Sequence, residues 1–222
     1  MDDLRLANYG GSLARDSIRS LLGGAVAADW RHALIARGFG WNTTVGAVST
    51  GIVGGGNGTT VVLARPQLAI KVPTGQCLVP LRVSVEVELG LQTTDSHVTE
   101  ILVSIDRTQV PTAGTSTTEV PINMRTDITV PCPLTVWSAF TGDTGVALAL
   151  DELDRAQALT DVQGVATTVN VYQLKTVYDP RWPPFICGPA GFFVHYGGDI
   201  AATGFIQASF LAIPSSLVTS LI

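Results

Sequence analysis

Charged side chains are scarce in this chain of 222 residues. Asp, Glu, Lys and Arg together make up 14% of it, whereas hydrophobic residues make up 46%. An ordinary soluble domain carries about 25% charged residues, and the centres of protein–protein interfaces are depleted of charge. The composition therefore indicates a surface that largely contacts other protein, with a weakly charged monomer as the alternative.

The sequence also lacks a basic segment. Its net charge is −5, and residues 1–40 contain five arginines against four aspartates. We therefore expect no strong binding to nucleic acid. The opening residues, MDDLRLANYG, have neither the basic nor the apolar region of a signal peptide. Residues 38–64 are uncharged but rich in glycine and polar residues, which disfavours a transmembrane helix and favours an extended arm.

Residues that carry out chemistry are few and show no familiar spacing. The three histidines, His32, His97 and His195, form no H-x-H or H-E-x-x-H pair, and the three cysteines form no C-x-x-C. Neither a G-x-S-x-G elbow nor a phosphate-binding loop is present. We predict no catalytic residue, cofactor, metal site or small-molecule substrate, and so a protein that is not an enzyme. A structural role is favoured for His195.

One acidic cluster leaves two interpretations open. Asp151, Glu152 and Asp154 lie close together in the chain. Carboxylates are ligands that Ca²⁺ prefers, so a calcium site at a subunit contact is one interpretation. The spacing matches no calcium-binding loop, and a solvated turn is the favoured alternative.

Helical periodicity is convincing only in residues 12–37. Apolar residues recur there at helical spacing. The stripe consists of Ile18, Leu22, Val26 and Leu34, with Trp30 beside it. A helix this short is marginal alone and needs a partner. We predict that the stripe contacts another protein subunit, with the chain's own β-domain or a membrane surface as alternatives.

After residue 58 the pattern becomes that of β-strands separated by turns rich in Pro, Gly, Thr and Asp. Eight strands are predicted near residues 59–72, 78–90, 98–108, 127–139, 145–153, 165–175, 190–197 and 203–213. Over residues 83–89, within the second of them, apolar and polar residues alternate, as in a half-buried strand. Many strands at this spacing favour a sandwich or a barrel. We predict an arm over residues 1–58 that adds little to the core, and a β-domain over residues 59–222 with little helix.

The most distinctive predicted loop is residues 178–185, with the sequence YDPRWPPF. Aromatic residues and arginine dominate interface hot spots, and flanking prolines lower the entropy cost of ordering a loop. We predict that Tyr178, Arg181, Trp182 and Phe185 contact a neighbouring subunit. The alternative is a loop folded onto its own β-domain.

The order of elements is a helical arm, a Gly-rich linker and eight strands, the last of which ends at a proline. With the closing segments FFVHYGG (192–198) and TGFIQASF (203–210), this organisation resembles the single jelly-roll capsid proteins of icosahedral viruses over residues 59–213. The resemblance implies an all-β, eight-stranded antiparallel jelly-roll sandwich with sheet orders B-I-D-G and C-H-E-F.

The same resemblance implies a structural subunit that self-assembles into a shell. Its partners are then copies of itself and other capsid proteins, and it belongs to a virion assembled in the host cytoplasm. The family's basic genome-binding arm is missing, which favours a shell over an internal membrane or over a pre-packaged genome. The alternative function is a jelly-roll binding module, such as a trimeric phage spike, a decoration protein or a lectin-like protein.

The implied strand order also leads to a prediction about the cysteines. It puts Cys77 and Cys132 at the start of strands C and E, about 10 Å apart across strand H. It puts Cys187 at the opposite end of that sheet. A disulfide requires Cα atoms within about 7 Å, so no disulfide is expected among the three.

Overall fold

A computed structural model of the chain describes residues 30–47, 50–56, 61–89, 97–144, 149–160, 172–198 and 202–219. These residues form two β-sheets that share one hydrophobic core, together with two short helices, α1 (Trp30–Ala36) and α2 (Ser215–Thr219). The predictions of an all-β sandwich and of little helix after residue 60 are confirmed for the described residues. Neither described helix is long and apolar enough to cross a membrane.

In the part of the chain that the structure describes, fourteen strands make up the two sheets. In chain order they are β1 (Gly40–Val45), β2 (Ile52–Val53), β3 (Gly55–Gly56), β4 (Leu68–Val72), β5 (Gln76–Leu89), β6 (His97–Asp106), β7 (Thr117–Glu119), β8 (Ile122–Asn123), β9 (Thr135–Ser138), β10 (Asp151–Thr160), β11 (Tyr172–Tyr178), β12 (Ile186–Cys187), β13 (Ala190–Gly198) and β14 (Thr203–Pro214). Sheet 1 has the order β11-β5-β14-β1-β8, with β12 beside β5 and β2 beside β14. Sheet 2 has the order β10-β6-β13-β4-β9-β7, with β3 beside β13. Neighbouring strands are antiparallel except for the parallel pair β3 and β13.

The main core lies between the inner faces of the two sheets. Val83, Val85 and Val87 of β5 are buried in it, while Glu86 and Glu88 on the other face of the strand are not buried. This confirms the alternation predicted for the strand. Aromatic side chains from both sheets fill much of the remaining volume, among them Phe192, Tyr196 and Phe210.

A β-bulge near Leu81 changes which residues of β5 face the core. The pairing with β14 shifts register there, so that Phe210 is opposite Pro80 and Ser209 is opposite Arg82. An extra residue moves the following side chains to the opposite face. Odd-numbered residues before the bulge therefore point away from the main core. Cys77, Val79 and Leu81 of β5 form an outer cluster on sheet 1 with Leu211 and Ile213 of β14.

The two short helices cover this outer cluster. Trp30, Leu34 and Ile35 of α1 pack against it, as does Val218 of α2. Because the helices shield this end of sheet 1, β5 and β14 carry apolar residues on both faces here. The end of the predicted helical stripe thus packs on the chain's own sandwich.

The prediction that residues 1–58 add little to the core is wrong for β1. This strand lies between β14 and β8, and Trp41 and Val45 are 4% and 1% exposed in the main core. β1 lacks charged residues because most of it is buried, and the glycines around it do not prevent its pairing with β14. The predicted boundary between residues 58 and 59 therefore cuts through sheet 1.

Other strand predictions differ in accuracy. The segments 78–90, 98–108, 190–197 and 203–213 correspond to β5, β6, β13 and β14 within two residues. Among the described residues, the segment 145–153 overlaps β10 at residues 151–153. The segments 59–72 and 127–139 contain the shorter strands β4 and β9, and the segment 165–175 overlaps β11 at residues 172–175, the part of it that the structure describes.

Deletion of residues 1–40 should destabilise the sandwich, because it removes Trp30, Leu34 and Phe39 from the outer cluster. Burial of an apolar side chain contributes about 1.5–3 kcal/mol. Since these side chains are only partly buried, we expect the free energy of unfolding to fall by roughly 3 kcal/mol. Deletion of residues 1–29, which retains α1, is the matched control. Urea unfolding followed by circular dichroism compares the two, and equal stabilities would show that α1 adds nothing.

Candidate functional site

The aromatic loop, defined here as residues 179–185, projects from the edge of sheet 1. Its position follows from the pairing along β5. There β11 ends with Tyr178 opposite Val83, and β12 resumes with Ile186 opposite Leu78. Seven residues of the loop thus face only four of β5, residues 79–82. Because the loop has three more residues than the part of β5 opposite it, it cannot pair along β5 and leaves the sheet. Its prolines also lack the N–H that pairing between strands requires.

The tip of the loop presents an aromatic side chain and a cation to the outside. The Trp182 side chain is 79% exposed, and the guanidinium carbon of Arg181 lies 5.8 Å from the centroid of its ring. Phe185 is 44% exposed, whereas Pro183 is buried and anchors the base of the loop. A largely exposed tryptophan is uncommon on a free monomer and typical of a contact surface.

Helix α1 supports the loop from the side. Arg31 donates hydrogen bonds of 2.8 Å from Nη2 to the carbonyl oxygens of Pro180 and Arg181. The adjacent Trp30 stacks on Phe185, with ring centroids 6.2 Å apart and planes 25° apart. Arg31 also lies 3.8 Å from the Asp179 carboxylate, but an exposed ion pair at that distance contributes little. The two bonds to carbonyl groups and the stacking therefore set the loop conformation.

A disulfide between Cys77 and Cys187 fixes the point where the loop returns to the sheet. Their Cα atoms are 4.0 Å apart, directly opposite each other on β5 and β12. The prediction that these two thiols stay unpaired is wrong. The predicted strand order omits β1 and therefore makes β5 the second long strand. With β1 included, β5 is the third long strand, and it lies in sheet 1 beside β12. Cys187, placed at the start of β13, lies instead in β12 of sheet 1.

Cys132 is a free thiol, as predicted. It is partly buried against the main core, and burial raises the pKa of its thiol to about 11. The thiol is therefore protonated at neutral pH and weakly reactive. It serves as an internal control for experiments on the other two cysteines.

Four of the predicted interface residues lie together on the surface formed by α1 and the aromatic loop: Trp30, Arg181, Trp182 and Phe185. Leu34 packs beneath them against the outer cluster. Tyr178 packs against the main core, and burial, with a smaller contribution from the negative charge of Asp154, raises its pKa. The remaining three, Ile18, Leu22 and Val26, lie outside the described residues.

Sequence reasoning did not find Arg31 or the disulfide as parts of this surface. Arg31 bonds to a carbonyl group 150 positions later in the chain, and the two cysteines are 110 positions apart. The adjacency of Arg31 to Trp30 is the one local signal, and it does not indicate which segment the arginine binds.

The acidic cluster is divided among separate partners. Asp151 pairs with Arg107 at 2.8 Å, and Glu152 pairs with Arg155 at 2.7 Å. Asp154 accepts a hydrogen bond of 3.3 Å from the Thr176 hydroxyl. Within the described part of the chain, no three His, Cys, Asp or Glu side chains converge as metal ligands do.

Comparisons with protein-family models, with curated proteins and with solved structures found no match to this chain. Function is therefore inferred from the strand order and the surface chemistry of the chain itself.

Proposed function

We propose that the protein is a jelly-roll subunit of a viral capsid that assembles with copies of itself. The observation that carries the proposal is the order of the longer strands in the two sheets. Eight strands have five residues or more, and in chain order they take the letters B to I: β1, β4, β5, β6, β10, β11, β13 and β14. Sheet 1 then contains the run G-D-I-B and sheet 2 the run F-E-H-C. Read from the opposite edge of each sheet, these runs are B-I-D-G and C-H-E-F, which are the sheet orders of jelly-roll capsid subunits.

The shorter strands fit this assignment as additions to the connections between lettered strands. β2 and β3 belong to the connection between B and C, and β12 belongs to the connection between G and H. β7, β8 and β9 all lie between E and F, and they extend both sheets beyond B and C. The eight lettered strands and the six short strands in the connections between them therefore account for all fourteen described strands.

Self-assembly is supported by the surface. Several large apolar side chains are mostly exposed, among them Trp182, Val120 and Ile122, at 79%, 84% and 72%. The low charge of the chain leaves few charged groups to keep such side chains apart in solution. Contact with copies of the chain buries them, and the aromatic loop, which α1 supports, is the candidate for that contact. The proposed function depends on how copies of the subunit pack against one another, and a capsid subunit is part of the virion.

The experiment is to purify the full chain and follow its assembly by light scattering and electron microscopy. Closed shells of uniform diameter support a capsid subunit. Discrete trimers favour the alternative of a spike, decoration or lectin-like binding module. A chain that stays monomeric at high concentration contradicts both functions.

Substitution of Trp182 by alanine should impair assembly while leaving the isolated subunit's melting temperature nearly unchanged. A hot-spot tryptophan contributes about 2 kcal/mol or more to each contact, and this one makes few contacts inside its own subunit because it is 79% exposed. Light scattering measures assembly, and calorimetry measures the melting temperature.

The matched control is Trp137→Ala, because Trp137 is only 8% exposed and packs with Phe140 and Phe193 on the outer face of sheet 2. Loss of a buried tryptophan typically costs about 3–5 kcal/mol, so this variant should lose stability. If Trp182→Ala instead lowered the melting temperature and left assembly normal, the loop would serve its own subunit alone.

A further inference from the structure

We infer that the Cys77–Cys187 disulfide is a redox latch that holds the aromatic loop in the conformation that a second copy of the chain contacts. The inference rests on the proposed self-assembly and adds regulation to it. Subunits with the bond closed associate more tightly than subunits in which it is reduced. The reductant is any small thiol or dithiol.

The bond acts where the loop is otherwise weakly held. On the side that enters the loop, β11 pairs with β5 over seven residues. On the side that leaves it, β12 pairs with β5 over only two, Ile186 and Cys187. One further backbone bond follows, of 2.9 Å, from the Gly188 amide to the Gln76 carbonyl. A two-residue pairing is marginal alone, so this end depends on the burial of Ile186 in the main core and on the covalent bond beside it.

The two sulfur-bearing residues differ in access to solvent. Cys77 is fully buried beneath α1 in the outer cluster, whereas Cys187 is exposed at the sheet edge. An external thiolate therefore attacks Sγ of Cys187. The S–S bond breaks, and Cys77 leaves as a thiolate that takes up a proton. A second thiol then releases Cys187 as its own thiol, so the protein gains two thiols and the reductant forms one disulfide.

Reduction leaves the loop with noncovalent support alone. That support includes the Arg31 hydrogen bonds to the carbonyl groups of Pro180 and Arg181, the stacking of Trp30 on Phe185 and the short pairing of β12 with β5. A loop that samples more conformations loses more entropy when a partner orders it, and binds more weakly. Thiols stay reduced inside cells and pair outside them. The latch therefore tightens subunit contacts once the protein leaves a reducing compartment.

The test compares oxidised full chain, chain reduced with dithiothreitol, Cys187→Ser and the control Cys132→Ser. Hydrogen exchange read by mass spectrometry reports loop order, and light scattering reports association. We expect reduction and Cys187→Ser each to speed amide exchange in residues 179–187 by about tenfold or more. Peptides from β13 should stay far better protected than peptides from the loop, which shows that the sandwich stays folded. The same two samples should need a several-fold higher concentration to associate, while Cys132→Ser behaves like the oxidised protein.

If amide exchange in residues 179–187 is equally fast in the oxidised and the reduced protein, the latch is overturned. A looser loop with unchanged association overturns its regulatory role. If no redox state associates at all but the loop still loosens on reduction, the proposed capsid function fails while the latch on the loop stands. The two proposals are thereby tested separately.

Discussion

Replacement of both Cys77 and Cys187 by alanine should lower the free energy of unfolding by about 5 kcal/mol. The disulfide joins residues 110 positions apart, and a cross-link that closes a loop of ~100 residues restricts the unfolded chain by about 4.7 kcal/mol. Loss of the buried Cys77 sulfur from the outer cluster adds a smaller packing term. Urea unfolding of wild type and double variant, without reductant, measures the difference.

The control for this prediction is Cys132→Ala, which removes a partly buried thiol that closes no loop. It should cost less than the double variant, about 1 kcal/mol. Addition of dithiothreitol should lower the stability of wild type toward that of the double variant and leave the double variant unchanged. Equal stability of wild type and double variant in the absence of reductant would mean that the bond does not form in solution.

Acid should destabilise the fold between pH 6.5 and pH 4 through His195. This side chain is fully buried on the outer face of sheet 2, where Nε2 lies 3.0 Å from the Leu63 carbonyl oxygen. Burial lowers the pKa of His195 to about 4, although the hydrogen bond to Leu63 opposes the shift. Within the described residues its Nδ1 has no hydrogen-bond partner. A proton added there would therefore create a buried charge without an acceptor.

The direction of the effect follows from which state binds the proton first. As the pH falls below 6.5, the unfolded chain protonates this histidine while the folded chain does not, so the free energy of unfolding decreases. The decrease continues until the pH reaches the folded-state pKa of about 4. Between pH 7 and pH 4.5 it amounts to about 2 kcal/mol for one group.

Denaturant unfolding of His195→Gln over the same pH range checks this, because glutamine retains a donor for the Leu63 carbonyl but does not titrate. The difference in stability between pH 7 and pH 4.5 should shrink by about 2 kcal/mol. His32→Gln, which removes an exposed histidine from α1, is the control for the substitution itself. Identical pH profiles for wild type and His195→Gln would contradict the prediction.

Acidic groups on the same face of sheet 2 act at lower pH. Burial by itself raises the pKa of Asp106, but hydrogen bonds from Thr108, Ala149 and Gln109 outweigh it and hold the pKa below its usual value. The stability that Asp106 contributes is thus present above its unfolded pKa and lost as the pH falls through the folded value. Glu100, farther along β6 on the same face, is ion-paired with Arg155. The window from pH 7 to pH 4.5 therefore reports mainly on His195.

Local sequence patterns were sufficient for strands whose side chains alternate or are uniformly apolar. The valines of β5 and the aromatic residues of β13 and β14 mark these strands directly, because a buried sheet face requires them. The composition of the aromatic loop also indicated an exposed contact surface. Each of these features depends on residues within about ten positions of one another.

Pairing between distant segments decided the rest. β1 is a strand because β14 lies beside it, although its glycine and threonine residues give a weak local signal. β10, with the sequence DELDRAQALT, has a composition more typical of a helix and is a strand through its pairing with β6. The bulge near Leu81 reverses the faces of β5, which extrapolation of its alternation from 83–89 cannot reveal.

The candidate site divides in the same way. Its aromatic and arginine residues could be read from residues 178–185, because interface chemistry is a property of side chains. Its shape depends on the register of β11 and β12 along β5, on Arg31, and on the bond between Cys77 and Cys187. Contacts across more than a hundred positions leave no trace in local spacing, because the chain entropy of closing them is offset only when the whole sandwich folds. The sequence by itself therefore determined which residues are available for contact, and the tertiary structure decided how they are held.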